Sequence, residues 1–178
     1  NLVEDINDII FEIDNAGIYK YVSPAILTTG DYKQEEIIGK SYKELIFPED
    51  IPISVKCFEK TIMGKPQKAE YRCLKKNGDI FWVQVFNKPM FVEGKVTGLR
   101  GVMTDITDMK KIENELLLSR RQLMDIIEFL PDATFVVDKD RKIVAWNQAL
   151  EEMTGTKKEN MIGKKDYEYA VPFYKEKR

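Results

Sequence analysis

Two cysteines, Cys57 and Cys73, are the only soft nucleophiles in the 178 residues, and the chain contains no histidine. A thiol reacts as its thiolate and needs a neighbouring base or cation to form one; the commonest base is missing. The missing imidazole excludes Ser-His-Asp and Cys-His catalysis, His-ligated haem and the common zinc sites. It also excludes a phosphoacceptor histidine within this stretch. Two cysteines without close spacing make no disulfide framework and fit a reducing, cytoplasmic setting. Each reads as a small buried hydrophobe, with a redox sensor or thioether anchor as the alternative. Gly94 to Gly101 lacks the spacing and the strand–turn–helix context of a phosphate loop. No nucleophile–base pair or metal cluster can be assembled, so no catalytic site is expected in this chain.

Charge and hydropathy narrow the class further. The net charge of −2 builds no positive field, so no nucleic-acid partner is expected. Apolar runs such as Phe135-Val136-Val137 are only a few residues long. None approaches the ~20 residues that cross a bilayer, and no signal peptide is visible at the first residues. A hydrophobic fraction of 43% beside 33% charged residues is that of an ordinary globular protein. Lys175, Lys177 and Arg178 read as a solvated basic end.

The chain repeats itself at an offset of 124 residues. Glu4, Asp8, Phe11 and Asp14 meet Glu128, Asp132, Phe135 and Asp138. Ala25, Lys33 and Glu35 meet Ala149, Lys157 and Glu159, and Ile38-Gly39-Lys40 meets Ile162-Gly163-Lys164. Gly30 and Gly155 fall one residue out of register, which reads as a small compensated indel. A collinear run of this kind indicates two copies of one fold, the second beginning near residue 125. That copy reaches Arg178 near the middle of the fold, so the chain is expected to be part of a longer protein.

The elements of the first copy can be read from pattern. Ile9 to Ile13 and Ile18 to Val22 are strands around the turn Asn15-Ala16-Gly17. Short helical pieces follow at Pro24 to Gly30 and Gln34 to Ile38. Val55, Phe58 and Ile62 then recur at helical spacing, with Asp50 as N-cap and Gly64 as the stop. Ala69 to Lys75 and Ile80 to Phe91 form a hairpin in which Asn77-Gly78 supplies the positive backbone angles. Glu93-Gly94-Lys95 turns into a last strand, Val96 to Thr104. The expected fold is α+β: a five-stranded antiparallel sheet with helices on one face.

This order resembles a PAS domain, over residues 1–108 in full and 125–178 in part. Asn15-Ala16-Gly17, Ser23-Pro24-Ala25 and Gly30 are similar to the family's opening. Glu35 to Lys40 resembles its E-x-x-G-K/R turn, and Phe47-Pro48-Glu49-Asp50 its H-P-x-D motif with phenylalanine in place of histidine. Arg72 to Val83 resembles the R-x-x-x-K-x-G-x-x-x-W-V hairpin, and Asp105-Ile106-Thr107 the D-I-T exit motif. Trp146-Asn147-Gln148-Ala149 and Gly163-Lys164 fit the same opening in the second copy.

The resemblance implies a sensor that binds a small molecule between sheet and helices, or one that dimerises and relays. Its flavin-binding branch carries a reactive cysteine after the G-K/R turn, where this chain has Tyr42. That branch has asparagines on the hairpin strands, here Cys73 and Val83, and a glutamine on the last strand, here Met103. Flavin carbonyls and ring nitrogens left unpaired are costly to bury. No flavin, no His-ligated haem and no other resident cofactor is therefore expected, which leaves the pocket to an unidentified small molecule. If Cys73 and Val83 face inward, alternation sends Tyr71, Val85 and Asn87 inward too, and Arg72, Trp82 and Gln84 outward. Phe58, Ile62 and Met103 would form the other walls. The same residues could equally be solid core, and an edge or bulge role near Pro89 competes for Asn87.

The linking segment carries a heptad seam: Met109, Ile112, Leu116, Ser119, Leu123, Ile126 and Leu130 recur in steps of three and four. Residues 109–130 are read as one signalling helix that ends at Pro131 and pairs with a second copy as a homodimer. The bland alternative is an amphipathic helix packed on its own domain. The full reading is 1–108 as a PAS sensor, 109–130 as the helix and 131–178 as the opening of a second PAS unit. Ligand or partner would act through Asp105-Ile106-Thr107 on an output domain in the same polypeptide, outside this chain. The family's tandem arrangement points to a sensor histidine kinase of a two-component system, with a ligand-free dimerisation and interaction module as the alternative.

Overall fold

The structure, a computed structural model, describes residues 8–165. The last residues of the second copy, with Lys175, Lys177 and Arg178, lie outside that range. The described residues fall into two compact units that divide between Lys111 and Ile112.

The first unit opens with strand β1 (Ile9–Asp14), whose Ile9, Phe11 and Ile13 are buried while the residues between them are not. Asp14 turns the chain: its Oδ1 accepts from the Ala16 and Ile18 amides, each at 2.9 Å. The chain returns as β2 (Tyr19–Val22), passes through the short helices α1 (Ala25–Gly30) and α2 (Gln34–Ile37), and enters α3 (Ile51–Ile62). Three long strands complete the unit: β3 (Gln67–Leu74), β4 (Ile80–Val92) and β5 (Lys95–Asp105). The sheet is antiparallel with order β2-β1-β5-β4-β3, so first and last strands lie side by side. The helices cover its inner face and bury Phe11, Tyr19, Ile37, Tyr71, Phe81 and Leu99 against it.

The turns show how local chemistry fixes the register. At Asn77-Gly78 only Gly78 has a positive φ, of 90°. The Gly78 amide donates to Lys75 O and Lys75 N to Asp79 O, a turn closed by one left-handed residue, not the two expected from the sequence. Between β4 and β5, Glu93 and Gly94 both have positive φ, and that two-residue turn suits the twist of the long hairpin.

The second unit holds the end of helix α4 (Thr107–Glu128), strands β6 (Phe135–Val137) and β7 (Ile143–Trp146), and helix α5 (Gln148–Thr154). Ile143, Trp146, Leu150 and Met161 form its core. Its hydrogen bonds repeat those of the first unit position by position. Asp138 Oδ1 accepts from the Asp140 and Lys142 amides as Asp14 does from Ala16 and Ile18. Thr134 N donates to Asn147 Oδ1 as Ile10 N does to Ser23 Oγ. The Ile18–Ser41 bridge recurs as Lys142–Lys165.

This repetition corrects the expected indel. The left-handed residue that ends the first short helix is Asp31, at φ 61°, and its counterpart 124 residues on is Gly155, at φ 65°. Aspartate tolerates this conformation better than most side chains. Gly30 is the last residue of α1, with an ordinary backbone and Ile26 and Tyr32 close by. The register is unbroken, and only the residue type differs.

Gly101 in β5 is required for a separate reason: a Cβ there would run into the Phe11 ring and Asn87 Oδ1. Gly101→Ala is therefore expected to cost roughly 1–3 kcal/mol through overpacking, measured as a lower urea midpoint with an unchanged slope. An unchanged midpoint would mean that Phe11 and Asn87 have room to move.

Candidate functional site

Alternation on the central hairpin places the side chains as expected. Tyr71, Cys73, Val83, Val85 and Asn87 are buried on the inner face, with Met103 beside them, and Arg72, Trp82 and Gln84 point outward. Phe81, not predicted, is also buried there. Helix α3 is turned differently from its predicted apolar stripe. Its buried residues are Ser54, Cys57 and Thr61, while Val55, Phe58 and Ile62 are half-buried. The two polar residues can be buried because each satisfies its hydroxyl locally. Ser54 Oγ donates to Ile51 O and Thr61 Oγ1 to Cys57 O, both at 2.8 Å.

The space between sheet and helices is nearly filled. Two small interior cavities remain, each of about 10 Å³. One lies under α1 and α2, beside Ile26 and Ile37. The other lies under α3, bounded by Tyr42, Ser54, Phe58, Tyr71, Asn87 and Met103. Ile62, Val83 and Val85 line neither, so the predicted cavity wall is shifted toward the start of α3. Tyr42 stacks on Phe58 with ring centroids 5.0 Å apart, and both rings line the cavity under α3. Asn87 is not at an edge: β4 runs between β3 and β5, and the β-bulge lies beyond it at Met90/Phe91.

The buried groups stay neutral at ordinary pH. Burial pushes the Tyr71 hydroxyl and the Cys73 and Cys57 thiols up, and the Tyr42 hydroxyl up to about 12. Burial thus disfavours the thiolate and phenolate forms of these groups. Among the described residues no three Cys, Asp or Glu side chains converge as a metal site, and no helix is long and apolar enough to cross a membrane.

The second candidate region is where the sheet hands over to α4. Ile106 is buried, and its amide donates to Trp82 O at 2.9 Å. The Trp82 amide donates in turn to Thr107 Oγ1, also at 2.9 Å, and Asp105 Oδ1 caps the Thr107 amide at 2.8 Å. The predicted relay residues Asp105, Ile106 and Thr107 thus sit together at the end of the β4–β5 ladder. The helix starts at Thr107, two residues before the expected position, and ends at Glu128, two before.

Around this junction lies a charged chain that the sequence reading missed. Lys110 Nζ pairs with Glu70 at 2.9 Å and sits over the Trp82 ring, 5.6 Å from its centroid. The Arg72 guanidinium faces the same ring at 5.8 Å and the Phe47 ring at 4.2 Å. Asp50, expected as an N-cap, makes no side-chain cap; its carboxylate takes the Arg72 backbone N–H, Nε and a terminal nitrogen, at 2.8 to 2.9 Å. The seam residues Met109, Ile112, Leu116, Leu123 and Ile126 are each more than half exposed, and no residue of α4 is buried.

With this geometry in hand, the chain can be set beside known proteins. Residues 7–108 match the PAS domain family model and residues 121–177 the PAS fold model, and the chain belongs to the PAS family. It is 26% identical over 121 residues to a probable diguanylate cyclase of Escherichia coli, DgcE, covering 67% of this chain and 11% of that protein. It is 28% identical over 120 residues to Sporulation kinase C of Bacillus subtilis, covering 65% of this chain and 27% of that protein. The chain thus spans about a tenth to about a quarter of these relatives. Among solved structures, a sensory box histidine kinase/response regulator from Burkholderia thailandensis superimposes with a TM-score of 0.56 at 22% identity, over 68% of this chain and 93% of that one.

Hydrogen bonds from Arg72 hold the Asp50 carboxyl below the ordinary carboxylate range. A depressed carboxyl stabilises the fold above the unfolded carboxylate range, and that contribution is lost as pH falls through the folded value. Stability should therefore fall below the ordinary carboxylate range, and Arg72→Gln should flatten that acid limb. At neutral pH Asp50→Asn should cost roughly 1–3 kcal/mol. Urea melts across the acid range check both, and equal acid slopes for wild type and Arg72→Gln would show that other carboxylates govern acid loss.

Proposed function

We propose that this chain is the cytoplasmic sensing and relay region of a longer sensor protein. Residues 1–108 act as the sensor, 109–130 as the signalling helix and 131–178 as the opening of a second PAS unit. It performs no chemistry itself and acts on an output domain outside the chain. A sensor histidine kinase of a two-component system is the output we favour; the likeness to Sporulation kinase C supports it, while the likeness to DgcE fits a diguanylate cyclase output instead.

The observation that carries the reading is the grip of Trp82 on Thr107. A shift of β4 relative to β5 changes this bond directly, so a change in the sheet is felt at the first residue of α4. The signal then travels as a change in population between helix orientations. The nearly filled core favours input through a partner or the outer sheet face over a large ligand between sheet and helices. The exposed seam on α4 favours a homodimer, because a helix of this length is marginal alone in water and its apolar stripe needs a partner.

Thr107→Val removes the acceptor of the Trp82 amide and keeps the side-chain shape. Hydrogen exchange should then quicken several-fold in the first turn of α4 while Val83 and Val85 amides keep their protection. Equal quickening across the whole sheet, or none at all, would overturn the junction as the coupling point.

Leu116→Asp places a charge in the seam and should convert a dimer to a monomer. Aspartate at Glu115 or Arg120, outside the seam, should leave the dimer intact. Light-scattering mass decides this: a monomeric wild type, or an unchanged dimer for Leu116→Asp, would rule out pairing through α4.

A further inference from the structure

Asn87 Oδ1 is the only buried side-chain nitrogen or oxygen without a hydrogen-bond partner among the described residues. The residue is 5% exposed and sits in an inner strand. Its other amide atom, Nδ2, reaches Cys57 Sγ on α3 at 3.5 Å. Turning the amide end for end does not remove the difficulty, because one end then meets the thiol and the other is left over. A leucine of similar shape would fill the place without any polar demand, so the amide needs a partner that the protein does not supply.

The cavity of about 10 Å³ lies beside this amide and is bounded by Tyr42, Ser54, Phe58, Tyr71 and Met103. Its size matches one water-sized molecule. Four of the bounding residues, Tyr19, Tyr42, Ser54 and Tyr71, carry hydroxyls, and Ser54 Oγ, which donates to Ile51 O, retains acceptor capacity. A water needs two to four polar partners to be held inside a protein, and this end of the core can offer them. The cavity under α1 and α2 differs: it is bounded mostly by aliphatic and aromatic side chains and contains no Asn87.

We propose that the cavity beside Asn87 is a binding site for a single water molecule that joins strand β4 to helix α3, with Asn87 as its recognition residue. The water completes the amide that Cys57 only half satisfies and ties the sheet to the one long helix on its inner face. Any molecule that replaces it must be small and must present an N–H or O–H to Asn87; an apolar atom of the same size is rejected. The inference stands on the unpaired amide and the cavity, and does not depend on the relay reading.

An atomic-resolution crystal structure of the chain tests it, with and without xenon pressure. The expected result is an ordered water about 2.7–3.2 Å from the Asn87 side chain, and no xenon at that position. Asn87→Ala should lose the water and admit xenon into the enlarged apolar space. Xenon beside Asn87 in the wild type, or a dry cavity with the amide rotated so that protein groups satisfy both ends, would overturn the site. The wild-type maps decide even if the alanine variant does not fold.

Discussion

The whole arrangement depends on how strand β5 ends beside the start of β4. In an antiparallel ladder a residue turns its N–H and C=O toward the same neighbour, and at Trp82 both turn toward the β5 side. The carbonyl takes the Ile106 amide as one more rung. The amide should meet a backbone carbonyl, but it meets the Thr107 hydroxyl. That substitution lets the backbone leave the strand at Thr107 and coil into a helix without leaving Trp82 unpaired. Sheet and helix are joined there by a hydrogen bond that serves both.

The outer sheet face extends this coupling to the far side of the unit. Asp50 precedes α3, Arg72 lies on β3, Trp82 on β4 and Lys110 on the first turn of α4. Arg72 and Lys110 both face the same indole ring, and each is held by its own carboxylate, Asp50 and Glu70. Exposed ion pairs contribute little singly. The Asp50–Arg72 pair is the exception here, since three hydrogen bonds converge on a buried carboxylate. The start of α3 is therefore tied firmly to β3, whereas the Lys110 contact at the helix junction is the weaker link.

The sheet was largely legible in the sequence, because a strand's inward and outward residues alternate and a buried face requires the apolar set. This is why Tyr71, Val85 and Asn87 could be placed by alternation once the family resemblance set Cys73 and Val83 inward. Helix α3 was less legible. Ser54 and Thr61 hide their polarity by bonding back to the preceding turn, so a search for apolar residues selected Val55 and Ile62, about one position away. Asp50 and Arg72 lie 22 residues apart, and nothing local reveals that a residue with cap chemistry has a better partner across the fold. The apparent indel arose because glycine marks the left-handed residue in one copy and aspartate does so in the other.

The two copies also show how one backbone plan serves different ends. Ser23 and Asn147 occupy equivalent positions, and each accepts the amide that opens its hairpin. The serine hydroxyl stops there. The asparagine is longer and carries a second function: its Nδ2 donates to Leu130 O and Asp132 O, and its Oδ1 also caps the Leu150 amide at the start of α5. Asn147 is fully buried, so these bonds are shielded from water. The carbonyl of Leu130 belongs to the turn that closes α4, just as Thr107 opens it. A helix with no buried residue along its length is thus fastened at each end by side chain–backbone hydrogen bonds to residues of a hairpin. Its seam residues are exposed along the stretch between those two attachments.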